Sequence, residues 1–458
     1  MSGLTDSRPK ALPTRSSKDD SNQPRIQLAS TTMEELSSMF SELLVQGDEG
    51  AKQHSIEGLA YASLQPAIKE KLAHDKDFLK SLMESLQKAP PRSPMTYGAL
   101  SILANLTRYR PTLSEEEKKM SQLRAYANAS GKLPAPDPLD DNDHVSERCR
   151  LVFEAGFTPV LVTHSKNGSP ASLGVIASIF QSISYTSALR GKLAQQGAVK
   201  LLLTAWSLLP AAEPSRQIAA QALARILIST NPALVFGANR ATTLNAIRPL
   251  LSILPPDVAA DRRDLLPTFE SLMALTNLAS LDDLQIRQTI IRDAWTQIED
   301  LILSSNNLVS KAAVELVCNL VQDPEGIALY ADGSPQAKQR LHILLALADA
   351  EDEGTRSAAG GALATLSAYS SVVKAIIERT RGVSILLKMS GEDSEDLRHR
   401  AAFILYHMVA ADGDVGKLAQ KAIKNERGVE ALTECAKKCR RPEVLEVVLQ
   451  VLKVLVDG

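Results

Sequence analysis

The residues able to do chemistry are thinly spread along this chain. Its seven histidines are scattered and none stands in HExxH spacing, the pattern that puts two zinc ligands on one helix face. No GxSxG turn presents a serine for nucleophilic attack. The stretch GDVGK, residues 413–417, resembles the end of a phosphate loop, but Ala411 replaces the upstream glycine and Leu418 the Ser or Thr. An inter-helix turn is the expectation there. Asp140, Asp141 and Asp143 lack the alternate acids, central glycine and distal glutamate of a calcium loop, so a solvated loop is expected. Cys435 and Cys439 share one helix face, but no paired His or Cys motif supplies the two further ligands of a metal site. The expectation is a non-enzymatic protein with no metal and no cofactor.

What does recur is a helix face. In KAAVELVCNL, Lys311–Leu320, apolar residues fall at Ala312, Ala313, Leu316, Val317 and Leu320, the spacing of one side of an α-helix. The same face returns in SLMALTNL, SAAGGALATL and RAAFILYHMV. Its last apolar residues form a ladder: Leu64, Leu106, Ile183, Leu227, Leu278, Leu320, Leu366, Val409 and Leu452. The steps are 42, 77, 44, 51, 42, 46, 43 and 43 residues. Most lie in the range of about 40–47 typical of armadillo and HEAT repeats. The 77 step contains a polar, proline-broken insertion over residues 110–145, read as one helix from Ser114 to Ala129 and then a loop with Pro134, Pro136 and Pro138. The 51 step carries a smaller excess at residues 237–243 and 255–263, where loops are expected. The fold expected is an all-α, armadillo-type superhelical solenoid of about nine repeats, the long third helices lining one concave groove. The final segment, PEVLEVVLQVLKVLVDG, is apolar almost all round and is expected to dock against something.

Just before the ladder residues stand Asn105, Ser182, Ile226, Asn277, Asn319, Thr365, Met408 and Val451. Asparagine is disfavoured inside helices, so its recurrence needs a reason. An amide offers two donors and an acceptor, which suits the backbone of an extended peptide lying in the groove. Capping a neighbouring loop within the array is the alternative use. Asn277 and Asn319 head the candidates for a client-binding groove. Thr365 holds the same rung, and Tyr406 adds an apolar contact. Arg287 is either a groove charge or a helix cap. Phe403 is either a second apolar contact to the client or, the preferred expectation, a core residue, and Arg225 and Asn231 are expected at the helix end before Pro232.

Composition agrees with stacked helices. Hydrophobic residues make up 44%, charged residues 23% and aromatics 4%, with a net charge of -2, so no global basic field attracts nucleic acid. The four cysteines are irregularly spaced, which suits a reducing, cytoplasmic setting. No uninterrupted apolar run reaches the roughly 18 residues of a membrane span. Residues 1–32 lack the apolar core of a secretory signal and are expected to be a disordered tail.

Several segments are similar to the UCS family of myosin-directed chaperones. ESLMALTNLASLDDLQIRQTI, Glu270–Ile290, resembles the family's core signature. QALARILISTNPALVF, NAIRPLLSIL and AAVELVCNLVQDPEG resemble further parts of its UCS domain, and IEGLAYASL and YGALSILANLTRY its central domain. The likeness runs from about Met33 to Gly458. It implies a central armadillo region over 33–165 and a UCS domain over 166–458. It further implies myosin heavy chain, through its motor domain, as the partner, with neither nucleic acid nor membrane. The resemblance also puts His407, in place of Met408, on the asparagine rung. Animal members dock heat-shock chaperones through an N-terminal tetratricopeptide domain. This sequence shows none, as in fungal members, and its central region looks short. The rival reading is a cargo or scaffold adaptor. Import adaptors pair groove Trp with Asn, whereas Trp206 and Trp295 both stand off the rungs.

Overall fold

The computed structural model describes residues 32–110, 119–120, 123, 137–237, 240–256 and 264–457. Among them are 25 α-helices, one 3-10 turn at Pro138–Asp140, and no strand. The first repeat is a pair, α1 (Met33–Gln46) and α2 (Glu49–Ala62). Three-helix repeats follow: α3 (Pro66–His74), α4 (Lys76–Lys88), α5 (Pro94–Thr107); α6 (Asn142–Glu154), α7 (Phe157–Ser165), α8 (Pro170–Ile183); α9 (Ser187–Gln195), α10 (Ala198–Leu208), α11 (Pro214–Ile228); and α12 (Pro232–Phe236), α13 (Arg240–Ser252), α14 (Leu266–Ala279). A second pair comes next, the 19-residue α15 (Leu284–Ile302) and α16 (Asn307–Leu320). The array closes with α17 (Pro324–Ala331), α18 (Pro335–Leu347), α19 (Glu353–Leu366); α20 (Ser370–Glu378), α21 (Gly382–Ser390), α22 (Glu395–Ala410); and α23 (Gly413–Asn425), α24 (Gly428–Lys438), α25 (Pro442–Asp457).

The nine helices α2, α5, α8, α11, α14, α16, α19, α22 and α25 stack each on the one before. This is the armadillo-type solenoid expected, with one apolar core running from Leu44 to Leu455. Local sequence sets the register. Ser93 and Ser169 cap α5 and α8, each followed by a proline in the first turn, where its missing N–H costs nothing. Asn306 and Asp352 cap α16 and α19 through side-chain oxygens. Glycines let the stack close. A Cβ on Gly98 of α5 would come within 2.7 Å of Ile56 Cγ2, and one on Gly361 of α19 within 2.8 Å of Cys318 Sγ.

Arginines satisfy the open carbonyls at helix ends. Arg148 Nε donates to Leu106 O at 2.9 Å, and Arg190 Nε to Ser184 O at 2.7 Å. Arg148 is fully buried and also meets Glu70 at 2.8 Å and Asp140 at 2.9 Å, while Lys69 reaches Asp140 at 2.9 Å.

Several expectations change. Asp140 is a partner of Arg148 and not a solvated loop residue. Asp141 caps α6 by accepting from His144 N, Asp143 sits in that helix's first turn, and Pro138 opens the 3-10 turn. Leu64 lies beyond α2 and is exposed, so Leu59 and Ala62 form the first rung. Thr32 belongs to a capping box with Glu35 and not to a tail. Residues 1–31, most of the insertion with its helix Ser114–Ala129, Pro134 and Pro136, and the excess at 238–239 and 257–263 lie outside the described residues. Of that insertion helix, residues 119, 120 and 123 are helical.

Candidate client-binding groove

Four of the side chains standing just before the ladder residues reach back one repeat from the stacked helices. Asn277 on α14 donates Nδ2 to Leu227 O at 2.6 Å and Thr230 O at 2.7 Å, at the end of α11. Asn319 on α16 donates to Thr276 O of α14 at 2.9 Å. Asn105 on α5 donates to Ala60 O at 3.1 Å and Ser63 Oγ at 3.0 Å. His407 on α22 shares a 2.9 Å hydrogen bond, through Nδ1, with Ser367 Oγ just past α19. The recurring side chain thus stitches consecutive repeats together, the alternative set out from sequence. Asn277 and Asn319 remain half-buried, and neither Oδ1 has a partner among the described residues.

The other candidates separate. Thr365 bonds back to Gly361 O of its own helix at 3.4 Å. Arg287 is 4% exposed and donates to Leu281 O at 2.7 Å, so it caps the end of α14 and is no groove charge. Tyr406 is half-buried beside a cavity of about 510 Å³ that includes Gln420, Gln450 and Lys453. Phe403 was expected in the core but is 38% exposed, its ring 4.5 Å from that of His407 and 6.4 Å from that of His399. On α22 these three rings, four residues apart, make one aromatic stripe. Burial holds the His407 imidazole below its usual value, against a backbone contact with Ala364.

A further polar centre escaped sequence reasoning. Gln181 Nε2 donates to Gln221 Oε1 at 2.6 Å, and Gln221 Nε2 to Glu270 Oε2 at 2.7 Å. Arg225 donates Nε to Glu270 Oε1 at 2.7 Å and one Nη to Gln181 O at 3.0 Å. Arg225 and Glu270 are each 7% exposed. A closed circuit therefore joins α8, α11 and α14, and Arg225, in the last turn of α11 as expected, is also a tie across three repeats. The signal was an arginine and a glutamate, Arg225 and Glu270, standing among the buried residues of two stacked helices. Asn231 does cap α12 by accepting from Ala233 N at 2.9 Å. Above the circuit lies a cavity of about 770 Å³ bordered by α5, α8 and α11, where Tyr109 and Tyr185 pack 4.9 Å apart. Trp206 stacks under Arg216, and Trp295 packs edge-on against Tyr330. Neither tryptophan is on a third helix, so the paired Trp array of an import adaptor is not formed.

Among the described residues, no group of three His, Cys, Asp or Glu could hold a metal ion. No described helix is long and apolar enough to cross a membrane. No family model matches the chain. It is 30% identical over 382 residues to Ring assembly protein 3 of Schizosaccharomyces pombe, covering 82% of this chain and 50% of that protein. It is 27% identical over 409 residues to Protein unc-45 homolog B of Homo sapiens, covering 88% and 42%. The chain spans about half the length of the curated relatives it matches. Its fold superposes on UNC-45 from Drosophila melanogaster with a TM-score of 0.76 and 28% identity, over 93% of this chain and 52% of that one. Sequence and fold agree over nearly the whole described array: the chain belongs to the UCS family.

Proposed function

We propose that this protein is a myosin-directed molecular chaperone, working without catalysis or cofactor in the cytoplasm. It holds the myosin motor domain along the face of its stacked third helices and supports folding of that domain, and with it actomyosin function. The observation that carries this reading is the unbroken stack of nine helices with aromatic and amide side chains at its surface, in a chain of this family. Extended or partly open segments of a client can lie across such a face, joined through backbone hydrogen bonds and a few apolar contacts. The Asn277 and Asn319 carbonyl oxygens, Tyr406, Phe403 and His407 are the contacts assigned to the client. Thr365 adds a minor one. The UNC-45 chaperone, a solved structure of the same fold, binds and folds muscle myosin, and Caenorhabditis elegans UNC-45 has been solved with Hsp70 and with Hsp90 peptides. The division at residues 165 and 166 falls in the turn between α7 and α8, inside one repeat. We therefore propose it as a division of labour across a continuous stack.

The test is light scattering of a purified motor domain at a temperature where it aggregates, with and without an equimolar amount of the chain. Suppression without added nucleotide supports the proposal. Unchanged aggregation, together with no motor-domain retention in a pull-down, overturns it.

A further inference from the structure

The turn between α7 and α8 holds the one Asn-Gly step of the sequence, Asn167–Gly168. The fold leaves this step open to reaction. Asn167 is exposed, and its side-chain amide has no hydrogen-bond partner among the described residues. The N–H groups of Lys166 and Asn167 both turn to His164 O at the end of α7, while the Gly168 N–H donates to no described group. Glycine also leaves that nitrogen without a side chain to hinder it. An open cleft of about 540 Å³, lined by Pro90, Pro91, Arg92, Ser93 and Asn167, admits water. Arg92, in the loop before α5, donates Nε to Asn167 O at 3.1 Å. That carbonyl and the Gly168 N–H belong to one conjugated peptide unit. A guanidinium on the oxygen draws charge from the nitrogen and makes its proton easier to remove. Asn277 and Asn319, by contrast, precede residues whose N–H groups are already bonded within α14 and α16.

We propose that Asn167–Gly168 is a self-modification site, at which Asn167 loses its side-chain amide to the neighbouring backbone. The Gly168 nitrogen gives up its proton to solvent and attacks Asn167 Cγ. The new N–Cγ bond closes a cyclic imide, the Cγ–Nδ2 bond breaks, and Nδ2 leaves as ammonia after taking up a proton. Water then opens the ring. Addition at Cγ gives aspartate. Addition at the backbone carbonyl of residue 167 gives isoaspartate, whose chain runs on through the side-chain carbonyl. The sum is asparagine plus water giving an acid and ammonia, with no oxidant and no second enzyme. The aspartate product acquires Arg92 as a counter-charge, since Arg92 has no ion pair among the described residues. The isoaspartate product adds a backbone atom at a turn with no slack. A Cβ on Gly168 would already stand 3.2 Å from Leu173 Cδ2, and Leu173 is buried. Isoaspartate therefore loosens α8 at its first turn, and with it the seam between α5 and α8. This inference does not rest on the client reading.

The experiment incubates the full chain at mildly alkaline pH beside a synthetic peptide of residues 162–172, with both followed by ion exchange and peptide mass mapping. The Asn167 amide should be lost before that of any other described asparagine, and no more slowly than in the peptide, which lacks Arg92. Arg92→Ala should slow the loss several-fold. Asn167→Gln should abolish it, because the longer side chain closes its ring far less readily. Isoaspartate methyltransferase with S-adenosylmethionine should label the aged parent at this turn. Peptide mapping separates that label from any at Asp332–Gly333, where isoaspartate forms without release of ammonia. Both substituted side chains are exposed, and far-UV circular dichroism verifies that each variant is folded. A folded chain that keeps the Asn167 amide more than about tenfold longer than the peptide overturns the proposal, because the turn would then hold the reacting atoms apart. Equal rates for the parent and Arg92→Ala overturn the part given to Arg92.

Discussion

The two halves of the third-helix face solve the same stacking problem with different chemistry. From α8 to α14 the helices are tied by a buried circuit of Gln181, Gln221, Arg225 and Glu270. From α16 to α22 the corresponding contacts are made by small residues and rings: Gly361 against Cys318, and His407 against Ser367 beneath an exposed Phe403. A closed polar circuit in low dielectric fixes geometry, because breaking any member strands the others. Small residues and exposed rings fix it less tightly and leave surface free to meet another chain. The first half thus reads as the rigid frame of the groove, and the second as its contact end.

The largest expected effect comes from breaking the frame. Glu270→Ala leaves Arg225 buried with no counter-charge and Gln221 Nε2 with no acceptor. Removing one partner of a buried pair costs about 3–5 kcal/mol. Urea unfolding monitored by circular dichroism should show this loss, whereas Arg225→Met with Glu270→Leu should recover much of it. A Glu270→Ala protein as stable as the parent would dissolve the distinction between the halves.

Next come the asparagines. Asn277 makes two hydrogen bonds to the preceding repeat and Asn319 makes one. At about 0.5–1.5 kcal/mol per net hydrogen bond, Asn277→Ala should lose about 1–3 kcal/mol and Asn319→Ala roughly half that. If instead both variants melt like the parent and bind motor domain more weakly, the amides act on the client alone. Phe403→Ala should show the opposite profile. Its ring is partly exposed, so thermal stability should hardly move, while motor-domain affinity should fall about tenfold, the equivalent of about 1.4 kcal/mol. Unchanged affinity would remove the aromatic stripe from the contact end.

How much of this was legible in sequence follows from the range of each interaction. The repeat was legible because its signal is periodic within a helix and again every forty-odd residues. The helix end at Asn231 was legible because a cap and its amide lie within three residues. The insertion's end was misread. Asp140 looks like one acid among several until Arg148, Lys69 and Glu70 close around it, and Glu70 lies 78 residues from Arg148. The direction of the asparagines was left open for a similar reason. Spacing places Asn277 on its rung, but only the stack brings Leu227 O and Thr230 O within reach. Of the two readings open for Phe403 the core was preferred, because its neighbours in RAAFILYHMV are core residues and helical phase alone does not mark the groove edge.

The smallest effect is one of pH, and it belongs to the contact end. His407 is held below the usual 6.5, first by burial and only partly offset by the Ala364 backbone. Its folded form therefore takes up a proton less readily than the unfolded chain. Stability from neutral His407 is present above about 6.5 and is lost as pH falls from there through the folded value. Burial would raise Glu395 on the same helix. The backbone N–H groups of Arg440 and Arg441 and the Arg398 side chain outweigh it and bring Glu395 down to about 2, so it stays ionised through that window. The discriminating measurement is the urea midpoint at pH 7.5 and at pH 5.5 for the parent and for His407→Gln. Glutamine keeps a polar group near Ser367 but cannot titrate. The parent should lose more between the two pH values than the variant does, and this difference should be much smaller than the Glu270→Ala effect. Equal losses would mean that the rung at His407 is indifferent to charge, leaving Phe403 as the feature that sets the contact end apart.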